Sequence, residues 1–316
     1  MFKSDSEEKM MEPLISVIIA CYNCAGTIKR AIGSVMGQTY KNLEIIAIND
    51  GSTDYTMNIL KGLAEKDNRI KIISHEHKGI AETRNEGLRV ATGNFIFFVD
   101  SDDEIRDDTL EDLYKLIKES YADVAVTGTV RVYPNKEADF TEPYPDMLLQ
   151  HEFIKRYGDR NGAEYVRVWG KLFRKEMFNN VEFPKGMIYE DAYVFADLYK
   201  NLRTAVFSKK YGYLYYQNKN SIMHSKHINH ELDGVDAAAH VIKGFASDEY
   251  RYALVPAENK VYANIKRALK SGDLSKEQKR QAFETLDKCI AVLKKYKVYP
   301  TRSRIRDSLL KLGVIR

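Results

Sequence analysis

Acidic and polar residues gather at three points where apolar runs of the chain stop. Tyr22 and Asn23 follow LISVIIAC, Asn49-Asp50-Gly51-Ser52 closes LEIIAI, and Asp100-Ser101-Asp102-Asp103 closes NFIFFV. A carboxylate at such a place is costly to bury unpaired, so it faces water, caps a helix, or holds a cation or a hydroxyl. Taken singly, Asp50 reads equally as a turn residue and Asp103 as a helix cap. Their shared position at run ends favours a common site. Asp100 and Asp102 suit Mg²⁺ or Mn²⁺, which takes one or two carboxylates and leaves its other positions to a diphosphate. The chain has no G-x-x-x-x-G-K-[ST] loop and no G-x-G-x-x-G after the first run, which removes the usual ATPase and dinucleotide readings. A metal-assisted enzyme of nucleotide-diphosphate compounds remains.

The elements that must position these residues alternate in the manner of βαβ units. Strands are expected at 14–21, 43–49, 69–74 and 94–100, with amphipathic helices at 25–37, 53–66 and 81–91 between them. Such units build an open sheet whose ligands sit outside the carboxyl ends of the strands. A helix at 108–119 and a strand at 123–127 follow. The pattern loosens from 130 to 145, where Pro134, Pro143 and Pro145 break regular structure. Regularity returns at 169–178, in a helix at 191–200 and in strands at 204–207 and 211–217. From Glu231 onward every segment has helical period, including 276–295 and 302–312.

Composition narrows the class. The 316 residues are 44% hydrophobic and 30% charged, which describes a folded globular chain of one large or two modest domains. The net charge of +4 is unevenly spread: from Arg251 onward 17 Lys and Arg face 6 Asp and Glu, leaving an acidic body and a basic tail. A solvated helical face, an anionic lipid surface or nucleic acid could meet such a tail. Three cysteines (Cys21, Cys24 and Cys289) make no disulfide framework, and a solitary C-x-x-C makes no zinc site, so they read as ordinary reduced thiols. The polar amino terminus does not read as an export signal and no apolar stretch is long enough to span a bilayer, so a cytoplasmic protein is expected.

SVIIACYN, QTYKNLEIIAINDGSTD and KGIAETRNEGLRVATGNFIFFVDSDD, in this order and spacing, closely resemble the family 2 glycosyltransferases with the GT-A fold over about residues 14–225. The resemblance implies an α/β, Rossmann-like open mixed sheet flanked by helices, with a helical carboxy-terminal region. Taken with composition and period, the chain is expected to divide into a disordered segment (1–12), a catalytic domain (13–228, its nucleotide half 13–128 and acceptor half 129–228) and a basic helical region (229–316). The resemblance implies further detail. It implies an inverting transfer from a UDP-sugar, with Mn²⁺ or Mg²⁺ as cofactor, to a saccharide or lipid-linked saccharide in bacterial surface polysaccharide or glycolipid assembly. Asp100 would contact the nucleoside and Asp102 the metal. Asp50 would hydrogen-bond the uracil, with Ala20, Tyr22, Asn23 and Ser101 completing the pocket and Lys78, Gly79 and Arg84 lining the donor side.

EFPKGMIYEDAYVF resembles the family's acidic motif, making Asp191 the base and placing Glu190 on the acceptor side; a helix-end acid is the plain alternative. Trp169 and Lys171, in VWGKLFRKEMF, are acceptor-side candidates, although a lone Trp serves as readily in packing. His224 in SIMHSK belongs by resemblance to a loop closing on the diphosphate and its metal. With His227 and His230 it also invites a zinc reading that lacks further ligands. A catalytically silent binding protein of the same fold and a nucleotidyltransferase are the competing classes. The first expects damaged acids and the second a basic glycine-rich loop, and the chain has neither. No nucleic-acid partner is expected. In the tail, Ile305, Leu309 and Leu312 form an apolar stripe among Arg302, Arg304, Arg306 and Lys311 that suits an anionic membrane surface at the inner face of the plasma membrane or packing on the protein itself.

Overall fold

Strands buried on both faces require continuous apolar runs, and the first hundred residues supply them. In the computed structural model these become β1 (Ile15–Cys21), α1 (Ile28–Met36), β2 (Leu43–Asp50), α2 (Thr56–Ala64), β3 (Ile70–His75), α3 (Ile80–Val90) and β4 (Phe95–Phe98). The structure describes residues 12–136, 138–141, 144–159, 161–217, 230–270 and 274–298. Apart from Glu12, the expected disordered segment lies outside these residues, as do His224, His227 and the basic stripe over 302–312. β1 is parallel to β2 and β4, and β2 to β3. α1 buries Ile28, Ala31, Ile32 and Val35, one face of an amphipathic helix. α3 lies unusually close to the sheet because Gly87 has no side chain; a Cβ there would stand 2.5 Å from Ile18 Cγ2.

The chain continues through β5 (Glu104–Ile105), α4 (Thr109–Ser120), β6 (Val124–Val126), β7 (Thr129–Val132), β8 (Asp139–Phe140), β9 (Met147–Leu149), α5 (Gln150–Lys155), α6 (Ala163–Val166), β10 (Lys171–Arg174), α7 (Glu190–Lys200), β11 (Thr204–Phe207) and β12 (Tyr213–Tyr216). The main sheet runs β3-β2-β1-β4-β10-β6-β11-β9, with β10 antiparallel to both its neighbours. The open mixed sheet expected from the sequence is therefore present. The span 130–145, read as irregular, instead holds β7 and β8, which join β5 and β12 in a second sheet ordered β5-β12-β7-β8.

Three helices follow: α8 (His230–Gly244), α9 (Arg251–Lys270) and α10 (Lys276–Lys295). α8 packs on α7, where Gly244 permits an approach that would leave its Cβ 2.5 Å from the Cβ of Ala196. Among the described residues no helix is long and apolar enough to cross a membrane.

At the amino ends of the strands Glu44 is buried yet fully paired. It accepts from Ser16 Oγ (2.6 Å) and from Thr92 N–H and Oγ1 (2.7 and 2.8 Å), and it pairs with Lys71 Nζ at 2.6 Å. Burial opposes its charge, but these donors outweigh it and hold the carboxyl at about 2. Glu44→Gln is expected to cost about 1–3 kcal/mol at neutral pH by urea unfolding. The folded value lies below the ordinary 4.5, so this stabilisation is complete above about 4.5 and is lost as pH falls through about 2. The gap between wild type and variant should therefore narrow across that window; a gap that stays constant would contradict the assignment.

Candidate active site

The turns after β1 and β2 are clasped together. Asn23, at φ 46°, accepts from Thr53 N–H at 2.8 Å, while the N–H groups of Cys24 and Ala25 donate to Thr56 Oγ1 (2.9 Å) and Asp54 Oδ2 (3.0 Å). Asn tolerates the left-handed conformation better than most residues, which lets the chain turn sharply toward α1. Asn23 thus shapes the expected nucleotide pocket through its bond to Thr53. Beside it Tyr22, 47% exposed, stacks on His77 with ring centroids 4.1 Å apart, and Ala20 is half-buried on β1.

Asp50 ends β2 beneath this pair and is itself buried. Its oxygens accept from the N–H groups of Lys78 (2.7 Å) and Gly79 (2.9 Å), and His77 Nδ1 stands 2.9 Å away. The carboxylate orders the turn that begins α3, and the Lys78 side chain is exposed. Asp50 therefore has its closest partners on the main chain.

The turn after β4 is fixed from the second sheet. Asp103 accepts from Tyr216 N–H and from Tyr213 O–H, both at 2.9 Å, and the Tyr213 oxygen accepts from Asp100 N–H at 3.1 Å. Burial, reinforced by Asp100 and Asp102, pushes Asp103 well above the carboxylate range. Its place is the base of this turn; it does not cap α4. Arg30 donates to the carbonyl of Asp102, pairs with Glu104 at 2.7 Å and lies over the Tyr216 ring. Ser101 and the Asp102 side chain stay partly exposed at the rim.

The centre of the site is Arg84, buried on α3 with a side chain 4% exposed. It donates to Asp100 Oδ1 at 3.1 Å, to Asp191 Oδ1 at 2.7 Å and to Glu190 Oε1. Asp191 Oδ2 accepts from Val168 N–H at 3.2 Å. Glu190 and Asp191 open α7, where the helix dipole favours acids. The residue before them, Tyr189, is at φ 65°, a conformation that costs on the order of 1 kcal/mol or more. Burial, with Asp191 adding to it and Arg84 opposing, pushes Glu190 up to about 7; the same burial, with Asp102 and Asp191 adding to it, raises Asp100.

Two acceptor-side candidates are buried. Lys171 is buried on β10 and donates to the carbonyls of Glu164 and Arg167, closing the end of α6 instead of facing a ligand. Desolvation lowers its ammonium to about 7. Trp169, 8% exposed, stacks on Tyr213 at 4.3 Å beneath the Arg167 guanidinium.

Several residues that build the site were not singled out from the sequence. Asn85 exchanges two 2.8 Å hydrogen bonds with the main chain of Phe183, pinning the segment that leads to Glu190. Glu164 binds Arg131, Arg167 and Tyr144 beside the Val168 amide. Asn85 sits next to Arg84 in TRNEG, but its partner is 98 residues away.

The family model for glycosyl transferase family 2 matches residues 16–181, and the chain belongs to that family; it is a glycosyltransferase with the GT-A fold. It is 31% identical over 226 residues to glycosyltransferase GlyG of Streptococcus pneumoniae, covering 68% of this chain and 75% of GlyG. It is 33% identical over 222 residues to GlyA of the same organism, covering 67% of this chain but only 32% of GlyA, so the chain spans about a third of that relative. The crystal structure of S. aureus TarS 1–349 in complex with UDP-GlcNAc shares the fold, with a TM-score of 0.68 at 21% identity over 88% of this chain and 81% of that one.

Arg84→Met would leave Asp100, Glu190 and Asp191 without their shared cation. Removing one partner from a buried ion cluster is expected to cost about 3–5 kcal/mol in chemical unfolding. Arg84→Lys should recover part of this, because an ammonium restores the charge but not the guanidinium fork. A Met variant as stable as wild type would refute the clamp.

Proposed function

We propose that the protein moves a sugar from a UDP-sugar to an acceptor hydroxyl, with inversion at the anomeric carbon, the acceptor being a saccharide or lipid-linked saccharide. The observation that carries this reading is the single guanidinium of Arg84 joining Asp100, on the donor side, to Glu190 and Asp191 at the start of α7. It gathers at the carboxyl ends of the strands both an acid suited to the nucleotide side and an acid suited to proton removal. The UDP assignment draws on the half-exposed ring of Tyr22, which suits a nucleobase, and on the UDP-GlcNAc bound by TarS.

Asp191 is the base in this reading. One of its oxygens is held by Arg84 and the other by the Val168 amide, so its direction is fixed before substrate arrives. The acceptor hydroxyl gives its proton to Asp191 as its oxygen bonds to the anomeric carbon, and the bond from that carbon to the diphosphate breaks with its electron pair leaving on UDP. Asp102, a hard oxygen donor at the rim, suits Mn²⁺ or Mg²⁺. Mg²⁺ or Mn²⁺ takes only one or two carboxylates and leaves its other positions to a diphosphate. Such an ion would neutralise charge on the departing diphosphate. Glu190, pushed up to about 7, is the second candidate base, because a group poised near neutrality is efficient in proton transfer.

Asp191→Asn should abolish transfer while leaving UDP affinity nearly unchanged in calorimetry, since a base acts on the acceptor. Retained activity in that variant, with loss in Glu190→Gln, would move the base to Glu190. UDP affinity should also fall when EDTA removes divalent ions, because the diphosphate would then meet the acids directly. Equal affinity with and without EDTA would contradict the role given to Asp102.

A further inference from the structure

Two thiols bracket Tyr22 and Asn23. Cys21 ends β1 and is fully buried; Cys24 lies three residues on, 8% exposed, where the chain has turned back through the left-handed Asn23. The two thiols lie against each other, and Cys21 Sγ donates to the Ile19 carbonyl at 3.5 Å. Cys24 also receives the hydroxyls of Thr56 and Ser101, and its carbonyl accepts from the amides of Thr27 and Ile28 at the start of α1. Both cysteines are free.

We propose that Cys21 and Cys24 are a modification site: a hydroperoxide converts them to a reversible disulfide, and the oxidised loop no longer presents Tyr22 and Asn23 in the form that binds the donor nucleotide. The chemistry balances without a further reactant. The Cys24 thiol ionises and its thiolate attacks the peroxide, the O–O bond breaks, and Cys24 becomes a sulfenic acid as hydroxide, or an alkoxide from an organic peroxide, departs and takes up the released proton to become water or an alcohol. The Cys21 thiol then attacks that sulfur, an S–S bond forms, and water leaves. Two electrons pass from the thiol pair to the peroxide.

Local chemistry separates this pair from the remaining cysteine. The nearby Cys21 thiol, with Ser101 and Thr56 and against burial, brings Cys24 down to about 7, below an ordinary thiol. Burial in α10 pushes Cys289 up to about 12, which makes it an internal control. Drawing the Cys24 sulfur onto Cys21 takes it from Thr56 and Ser101, and Ser101 belongs to the turn after β4. The loop holding Tyr22 and the turn holding Asp102 are thereby both disturbed.

The effect on donor binding rests on the proposed nucleotide pocket, whereas the disulfide does not, and the test reads them separately. The full chain is exposed to hydrogen peroxide, denatured with iodoacetamide and digested with trypsin, which leaves both cysteines in one peptide, Met10–Lys29. This peptide should become unalkylated and two hydrogens lighter, revert with dithiothreitol, and do so while Cys289 remains alkylatable. UDP affinity, measured with Mn²⁺, should fall several-fold on oxidation and return on reduction. Cys21→Ala should bind UDP like wild type and lose the peroxide effect; Cys24→Ser provides the same test if the first variant fails to fold. A peptide that stays doubly alkylated, or is carried irreversibly to sulfinic acid, overturns the site. A disulfide that forms with UDP affinity unchanged overturns its consequence. A reduced protein that binds no UDP condemns the donor reading and leaves the disulfide result standing.

Discussion

One buried cation among three carboxylates sets the requirements for the rest of this structure. Arg84 is almost wholly removed from water, and a guanidinium there is tolerable only if its partners are held in place. Asp100 comes from the end of β4, while Glu190 and Asp191 come from a helix about a hundred residues later. Much of the intervening architecture serves that meeting. Gly87 lets α3 sink onto the sheet, Asn85 ties the chain before α7 to α3, and the rings of Phe98 and Phe183 flank the guanidinium at just under 6 Å. The strained Tyr189 directs the start of α7, and the close approach at Gly244 backs that helix with α8. The carboxy-terminal helices therefore buttress the wall that carries the proposed base.

The second sheet has a comparable task at the turn after β4. An acidic turn repels itself, and Asp103 answers this by retreating into a site where Tyr213 and Tyr216 satisfy both of its oxygens. Tyr213 at the same time holds the Asp100 amide and supports Trp169, whose neighbour Val168 orients Asp191. The proposed donor and acceptor sides are thus linked twice, once by charge through Arg84 and once by packing through Tyr213.

The strands of the amino-terminal half are legible because both their faces are buried, so apolar runs and strands coincide and the polar run ends mark the site. The antiparallel insertion of β10 is not legible, since its register is set by β4 and β6 and not by its own four residues. For the same reason the direction of Lys171 could not be read; one residue of register decides whether an ammonium faces a ligand or the carbonyls of α6. β8, two residues long and set among prolines, carries no periodicity. Asp50 and Asn23 are visible as candidates, but their hydrogen bonds to Gly79 and Thr53 depend on how separate turns meet. The thiol pair reads as inert from spacing alone, and its neighbours Thr56 and Ser101 emerge only in the fold.

The central claim is that Arg84 holds a donor-side acid and the proposed base around one reacting centre. A crystal structure of the protein with UDP and Mn²⁺ tests it most directly. The account predicts the diphosphate and metal at Asp102, outside the carboxyl ends of β1, β2 and β4, with Asp191 still bonded to Arg84 and facing the open side where the anomeric carbon would lie. UDP bound away from these strand ends, or a metal ligated by Asp191 itself, would contradict it.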